Sequence, residues 1–150
     1  MYEWFAKALL PELNVIPARA QVLVTSPIKN LKVKGSFHFD EGFYYFRNID
    51  SRILLGGARN LDFEGERTTE FGNTAIIMES LKNMLDEMII PNETYTVDHV
   101  WSGIMAFGEN KNPIVKQVGA NIFCAVRLGG MGVAIGSLVG KEAVDLIVRD

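Results

Sequence analysis

Apolar residues recur along the chain in two rhythms. From Ile16 to Ile28 (IPARAQVLVTSPI) the segment alternates and is rich in Val, the period-two pattern of a strand. Gly35 leads into FHFD, and Asp40-Glu41-Gly42 makes a turn. GFYYFRNI then reads as a strand, Asp50-Ser51 as a turn, and RILLGGAR as the next strand. Together these predict an antiparallel meander.

The second rhythm is helical. Tyr2 to Leu10 (YEWFAKALL) forms a short helical pattern stopped by Pro11, whose ring cannot continue a helix. Asn60 to Gly72 is polar and reads as a loop, with Asn73 suited to an N-cap. From Phe71, apolar residues recur at Ala75, Met78, Leu81, Leu85, Met88 and Ile89, until Pro91. That spacing predicts a helix, with its methionines as core filler. YTVDHVWSGIMAFG reads as a long strand and Gly108 to Pro113 as a turn. PIVKQVG and NIFCAVRL follow as strands, then a terminal helix. Strands in a block between helices predict the α+β class. The chain reads as the second half of something, because its last strand and helix would normally dock on a larger sheet.

Composition narrows the function. The chain has 150 residues, 48% hydrophobic and 22% charged, with a net charge of −3. That is the range of a soluble globular domain with a sizeable core. No basic block marks a nucleic-acid surface. No apolar run reaches the ~18 residues of a membrane span, and no signal peptide opens the chain. The lone Cys124, within NIFCAV, can form no internal disulfide. It reads as a small core residue in a reducing, cytoplasmic compartment.

Chemistry concentrates near the end. Gly130, Gly132 and Gly136 form a G-x-G-x-x-x-G run between a strand and a helix. Such a turn lets backbone N–H groups approach an anion at the helix N-terminus. A full dinucleotide fingerprint also needs a following strand and an acidic residue ~20 positions on, and the chain is too short after Gly132 to hold them. The pattern alone serves equally for close packing of a helix on a strand. His38 and His99 lack partners at metal-ligand spacing, so no metal site is expected. No nucleophile elbow is present. Tyr44, Tyr45 and Phe46 form an aromatic strip whose alternate residues face opposite ways, one face core and the other able to line a pocket. Arg19, Arg47, Arg59 and Arg127 lie in or beside strands, where an arginine is a surface or salt-bridge residue, or an anion anchor.

Four segments occur in the order IPARAQVLVTSPI, GFYYFRNIDSRILLGGAR, VWSGIMAFGENKNPIV and NIFCAVRLGGMGVAIGSLVGKEAVDLI. This order resembles the C-terminal half of the FAD-dependent amine and D-amino acid oxidase family, the glycine oxidase-like group. It is most similar to the gamma-glutamylputrescine oxidase branch, through Tyr45-Phe46-Arg47 and the strand from Arg52 to Gly57. The resemblance implies a flavin domain split in sequence around a substrate domain with a large mixed, mainly antiparallel sheet. Residues 1–15 would be a flavin-domain remnant, 16–118 the substrate domain, and 119–150 the last strand and helix of the flavin domain. The N-terminal half with its phosphate-binding unit would be a missing partner.

In such an enzyme Gly129, Gly130, Met131 and Gly132 would present backbone N–H groups to the pyrimidine end of the flavin. Tyr44, Tyr45, Arg47 and Met105 would lie on the substrate side, and no catalytic residue is assigned. Amino-acid oxidases of this family carry an arginine in the tryptophan–glycine strand to grip the substrate carboxylate. Here Ile104 or Met105 stands there, which favours an amine over a simple amino acid. The expected activity is oxidation of a C–N bond with FAD in the complete enzyme. The chain alone is expected to retain no FAD, to have little activity and to self-associate, as a homo-oligomer. The alternative is a non-catalytic remnant or subunit acting through protein association.

Overall fold

The computed structural model describes residues 13–148. The helix expected over Tyr2–Leu10 lies outside the described residues. In chain order come β1 (Ile16–Thr25), β2 (Ser36–Phe39), β3 (Tyr44–Ile49), β4 (Arg52–Gly57), α1 (Ala75–Met84), β5 (Val97–Phe107), β6 (Ile114–Gly119), β7 (Ile122–Val126) and α2 (Gly132–Ile147). A π-helical turn over Leu85–Ile89 extends α1. The class is α+β, with one five-stranded sheet in the order β2-β3-β4-β1-β5 and a separate β6-β7 hairpin. Among the described residues, no helix is long and apolar enough to cross a membrane.

The described residues form two compact units. The larger holds residues 19–66 and 70–103. The expected meander is present there: β2 pairs antiparallel with β3, β3 with β4, and β4 with β1. Asp50, in the left-handed region at φ 51°, makes the tight reversal between β3 and β4. Leu23, Ile53 and Leu55 point from the sheet against Ile77, Leu81 and Leu85 of the helical layer, all nearly or fully buried. Tyr44 and Phe46 join this core, so Tyr45 and Arg47 project from the opposite face. Tyr45 lies across from Gly56 in the register. A Cβ on Gly56 would stand only 2.6 Å from the Tyr45 Cζ, so the ring occupies the space this glycine leaves.

One detail departs from the sequence reading. Helix α1 is capped by Thr74, not Asn73, and no side chain bonds its first turn. The Asn73 amide instead donates to the Trp101 carbonyl at 3.3 Å. The polar stretch Asn60–Gly72 is largely a loop, as expected, and within it Glu66 is 1% exposed. It accepts from Arg19 Nε at 2.9 Å, Arg19 Nη2 at 3.0 Å and Gln21 Nε2 at 2.8 Å. A buried charge is tolerated only with such partners.

The smaller unit holds described residues 13–18, 67–69 and 104–148. Its core gathers Leu13 and Val15 with Ala106, Ile114, Val118, Cys124 and Val126. Cys124 is thus a partly buried packing residue. The domain boundary expected at 118/119 falls inside the β6–β7 hairpin, whose two strands pair antiparallel with a bulge at Gln117/Gly119.

Candidate functional site

The glycine turn is built by the backbone leaving β7. Arg127 adopts φ 64°, then Gly129 and Gly130 adopt 56° and 83°. The two glycines take this left-handed path without the steric cost a Cβ imposes. Gly129 donates its N–H to the Ala106 carbonyl at 3.1 Å, and Met131 donates to Leu128 at 2.8 Å. The Met131 carbonyl starts α2 by accepting from Ala134 and Ile135, each at 3.0 Å.

That accounting leaves specific groups open. Among the described residues, the N–H groups of Gly130, Gly132 and Val133 meet no acceptor. Helix α2 has no side-chain cap and no acidic residue in its first turn. The partial positive charge at its N-terminus is therefore uncompensated by the helix's own sequence. Open N–H groups at a helix N-terminus are an arrangement that an anionic or acceptor group can use. The four residues expected to face a cofactor divide accordingly: Gly130 and Gly132 have open donors among the described residues, while those of Gly129 and Met131 are bonded to the Ala106 and Leu128 carbonyls.

Met105 on β5 belongs to the same unit. Its sulfur lies 3.5 Å from where a Cβ on Gly130 would stand. The structure thus brings together one residue expected on the substrate side and the turn expected at the cofactor. A Cβ on Gly132 would meet Leu128 Cδ1 at 3.3 Å, the movable end of a side chain.

The remaining expected residues sit in the larger unit. Tyr44 turns inward, its hydroxyl 2.9 Å from Ser80 Oγ on α1. Tyr45, on the other face, is partly buried, and burial pushes its phenol pKa upward. Arg47 is exposed and donates from Nε to the Asn48 carbonyl at 3.3 Å. The aromatic strip therefore separates Tyr44 from Tyr45 and Arg47.

The other arginines have structural partners. Arg19 pairs with Glu66. Arg59 stacks 4.8 Å above the Phe63 ring. Arg127 is bonded to the Asn14 and Asn112 carbonyls and to Asn110. No group of three or more His, Cys, Asp or Glu able to hold a metal occurs among the described residues. The sequence reading missed the tie from Gly129 to Ala106 and the hydrogen bonds of Arg127. Only the αL-favouring Gly129-Gly130 pair hinted at the first.

Comparison with known proteins gives this geometry a context. The family model of the FAD dependent oxidoreductases, DAO, matches residues 3–146. Among solved structures, L-proline dehydrogenase from P. horikoshii superposes with TM-score 0.73 at 20% identity, over 90% of this chain and 36% of that one. Glycine oxidase from Geobacillus kaustophilus gives 0.72 at 18%, over 99% and 40%. Iminodiacetate oxidase from Chelativorans sp. BNC1 also gives 0.72 at 18%, over 97% and 40%. The chain thus spans 36–40% of the length of these three solved chains. No curated protein sequence matches it significantly. These structural likenesses establish the shared fold, and the family model, which covers nearly the whole chain, establishes that this chain belongs to the FAD-dependent oxidoreductase family.

Proposed function

We propose that this chain is the C-terminal portion of a FAD-dependent oxidoreductase that oxidises the C–N bond of an amine to an imine. The observation that carries the reading is the set of open donors at Gly130, Gly132 and Val133 beside the thioether of Met105. When bound, FAD supplies the acceptor for the hydride leaving the substrate carbon; the substrate nitrogen loses a proton. The residues of this chain hold and orient. Gly130 and Gly132 would hold the pyrimidine edge of the flavin through their N–H groups, and donors aimed at charge that grows on reduction would favour it. Tyr45 and Arg47 lie on the face of the sheet that would serve the substrate, and Tyr44 supports that sheet from behind.

Residues 16–118 would supply the substrate domain, and 1–15 with 119–150 the flanking flavin-domain pieces. The three neighbours act, by name, on proline, glycine and iminodiacetate. Each of those bears a carboxylate beside the amine carbon. Met105 is uncharged and cannot pair with one, which favours an amine without that group. In a longer protein containing this chain, purified material should carry stoichiometric flavin that bleaches when an amine is added without oxygen. Flavin that no amine or amino acid reduces would contradict the reading.

A second reading, association through another chain, rests on α2. Val133, Val144, Ile147 and Val148 are exposed at 105%, 56%, 48% and 68%, and they fall on one side of the helix. An apolar stripe of this kind marks a surface that another protein covers. Val144→Lys should reduce self-association of the chain in light scattering. An equally large particle in the variant would remove this support.

A further inference from the structure

We propose that Arg127 is a positioning residue: its guanidinium fork fixes where the Gly129–Gly132 turn stands, and hence where the open N–H groups point. The consequence for the cofactor rests on the flavin-facing reading given above.

The chain leaves β7 at Arg127 with φ 64°. A non-glycine residue persists in that region only where its surroundings hold it. What holds it is the side chain. Nε and Nη2 donate to the Asn112 carbonyl at 3.0 and 2.9 Å, Nη1 to the Asn14 carbonyl at 3.1 Å, and Nη2 to Asn110 Oδ1 at 3.0 Å. Every one of these partners is neutral, so the fork acts here through directed hydrogen bonds and not as half of an ion pair.

The surroundings are shaped to receive it. A Cβ on Gly108 would stand 2.6 Å from both Arg127 Cδ and Nη1, and 2.8 Å from the Asn14 carbonyl. Only a bare backbone there lets the fork seat. Asn14 is itself fixed, lying between the buried Leu13 and Val15. Two residues beyond Arg127, the Gly129 N–H is tied to Ala106. The short path into the turn is therefore pinned at both ends. A lysine keeps the charge but is a point donor without a planar fork, and cannot reproduce the clasp.

Amide hydrogen exchange on this 150-residue chain tests the clasp. The Gly129 and Met131 amides are the reporters, because both are hydrogen-bonded, Gly129 to the Ala106 carbonyl and Met131 to the Leu128 carbonyl. In Arg127→Lys their protection should fall at least tenfold while the β6–β7 ladder amides keep theirs. Unchanged protection at both reporters would overturn the proposal, and so would an equal loss across the whole hairpin. If Arg127→Lys does not fold, Asn110→Ala removes one acceptor of the fork and should loosen the same two amides to a smaller degree. Its failure to do so overturns the proposal equally.

The flavin-loaded longer protein supplies the second arm. There Arg127→Lys should shift the oxidised–reduced flavin equilibrium about tenfold, or ~30 mV for a two-electron couple. Gly132→Ala serves as the companion. If it moves the potential and Arg127→Lys does not, the clasp does not act on the cofactor and the proposal fails. If neither moves it, the flavin-facing reading fails, and the exchange result still decides the clasp.

Discussion

The sulfur of Met105 lies 3.5 Å from the point where a Cβ on Gly130 would stand. Strand β5 and the glycine turn therefore meet through an apolar, polarizable group. Met105→Arg would place a cation where the resemblance expects a carboxylate grip. In the complete enzyme, kcat/KM for an α-amino acid relative to the corresponding amine should rise at least tenfold. An unchanged ratio would remove Met105 from the substrate side.

Gly132 separates a cofactor role from a packing role. The Cβ of Gly132→Ala meets only the end of Leu128, at 3.3 Å, which can give by a few tenths of an ångström. Gly132 opens α2, and alanine is the better helix former. The flavin-free protein should therefore keep or slightly raise its Tm, while flavin affinity or potential falls. A clear loss of flavin-free stability with normal flavin binding would instead assign the glycine to packing.

The paired glycines at the end of β4 should differ sharply. In Gly56→Ala the new methyl displaces the Tyr45 ring, 2.5 Å away at its hydroxyl, a side chain that can move. Overpacking of this kind costs about 1–3 kcal/mol. In Gly57→Ala it meets the Phe43 carbonyl oxygen, which is backbone, in a residue at φ 126°. Urea unfolding should show a measurable native state for the first and none, or a far weaker one, for the second. Equal losses would mean that Tyr45 does not lie where the structure places it.

Much of this was legible in the sequence, and for a physical reason. Alternation located β3 and β4, and the i, i+3, i+4 spacing located α1, because each burial face repeats with the geometry of its own element. Tertiary bonds between distant segments leave no such period. Glu66 lies in the loop the sequence predicts, but nothing local announces that Arg19, 47 positions away, will enclose it. Arg127 likewise gave no sign that it would reach Asn14, 113 positions earlier. The π-helical turn at Leu85–Ile89 kept the apolar spacing of a helix and was hidden by it.

Glu66 gives the chain a pH signature. Burial drives its pKa up, but the bonds from Arg19, Gln21 and Thr74 prevail and hold it below the usual carboxylate range. A depressed folded value contributes stability above the unfolded pKa of about 4.3, lost as pH falls through the lower folded value. Glu66→Gln leaves Arg19 without its hydrogen-bonded carboxylate, with only the through-space attraction of Glu70 and Asp62 remaining, a loss on the order of 3 kcal/mol at neutral pH. The gap between wild type and variant should narrow as pH drops below about 4. A gap that stays constant down to pH ~2 would show that Glu66 does not carry this charge.

Amide exchange at Gly130, Gly132 and Val133 in the longer protein, with and without FAD, shows whether the open donors of the glycine turn face the flavin. In the structure these three N–H groups meet no acceptor among the described residues and should exchange freely. Loading with FAD should slow the Gly130 and Gly132 amides by more than tenfold, because a bonded donor exchanges only on opening. Equal rates at both amides in the loaded and empty protein would contradict the account.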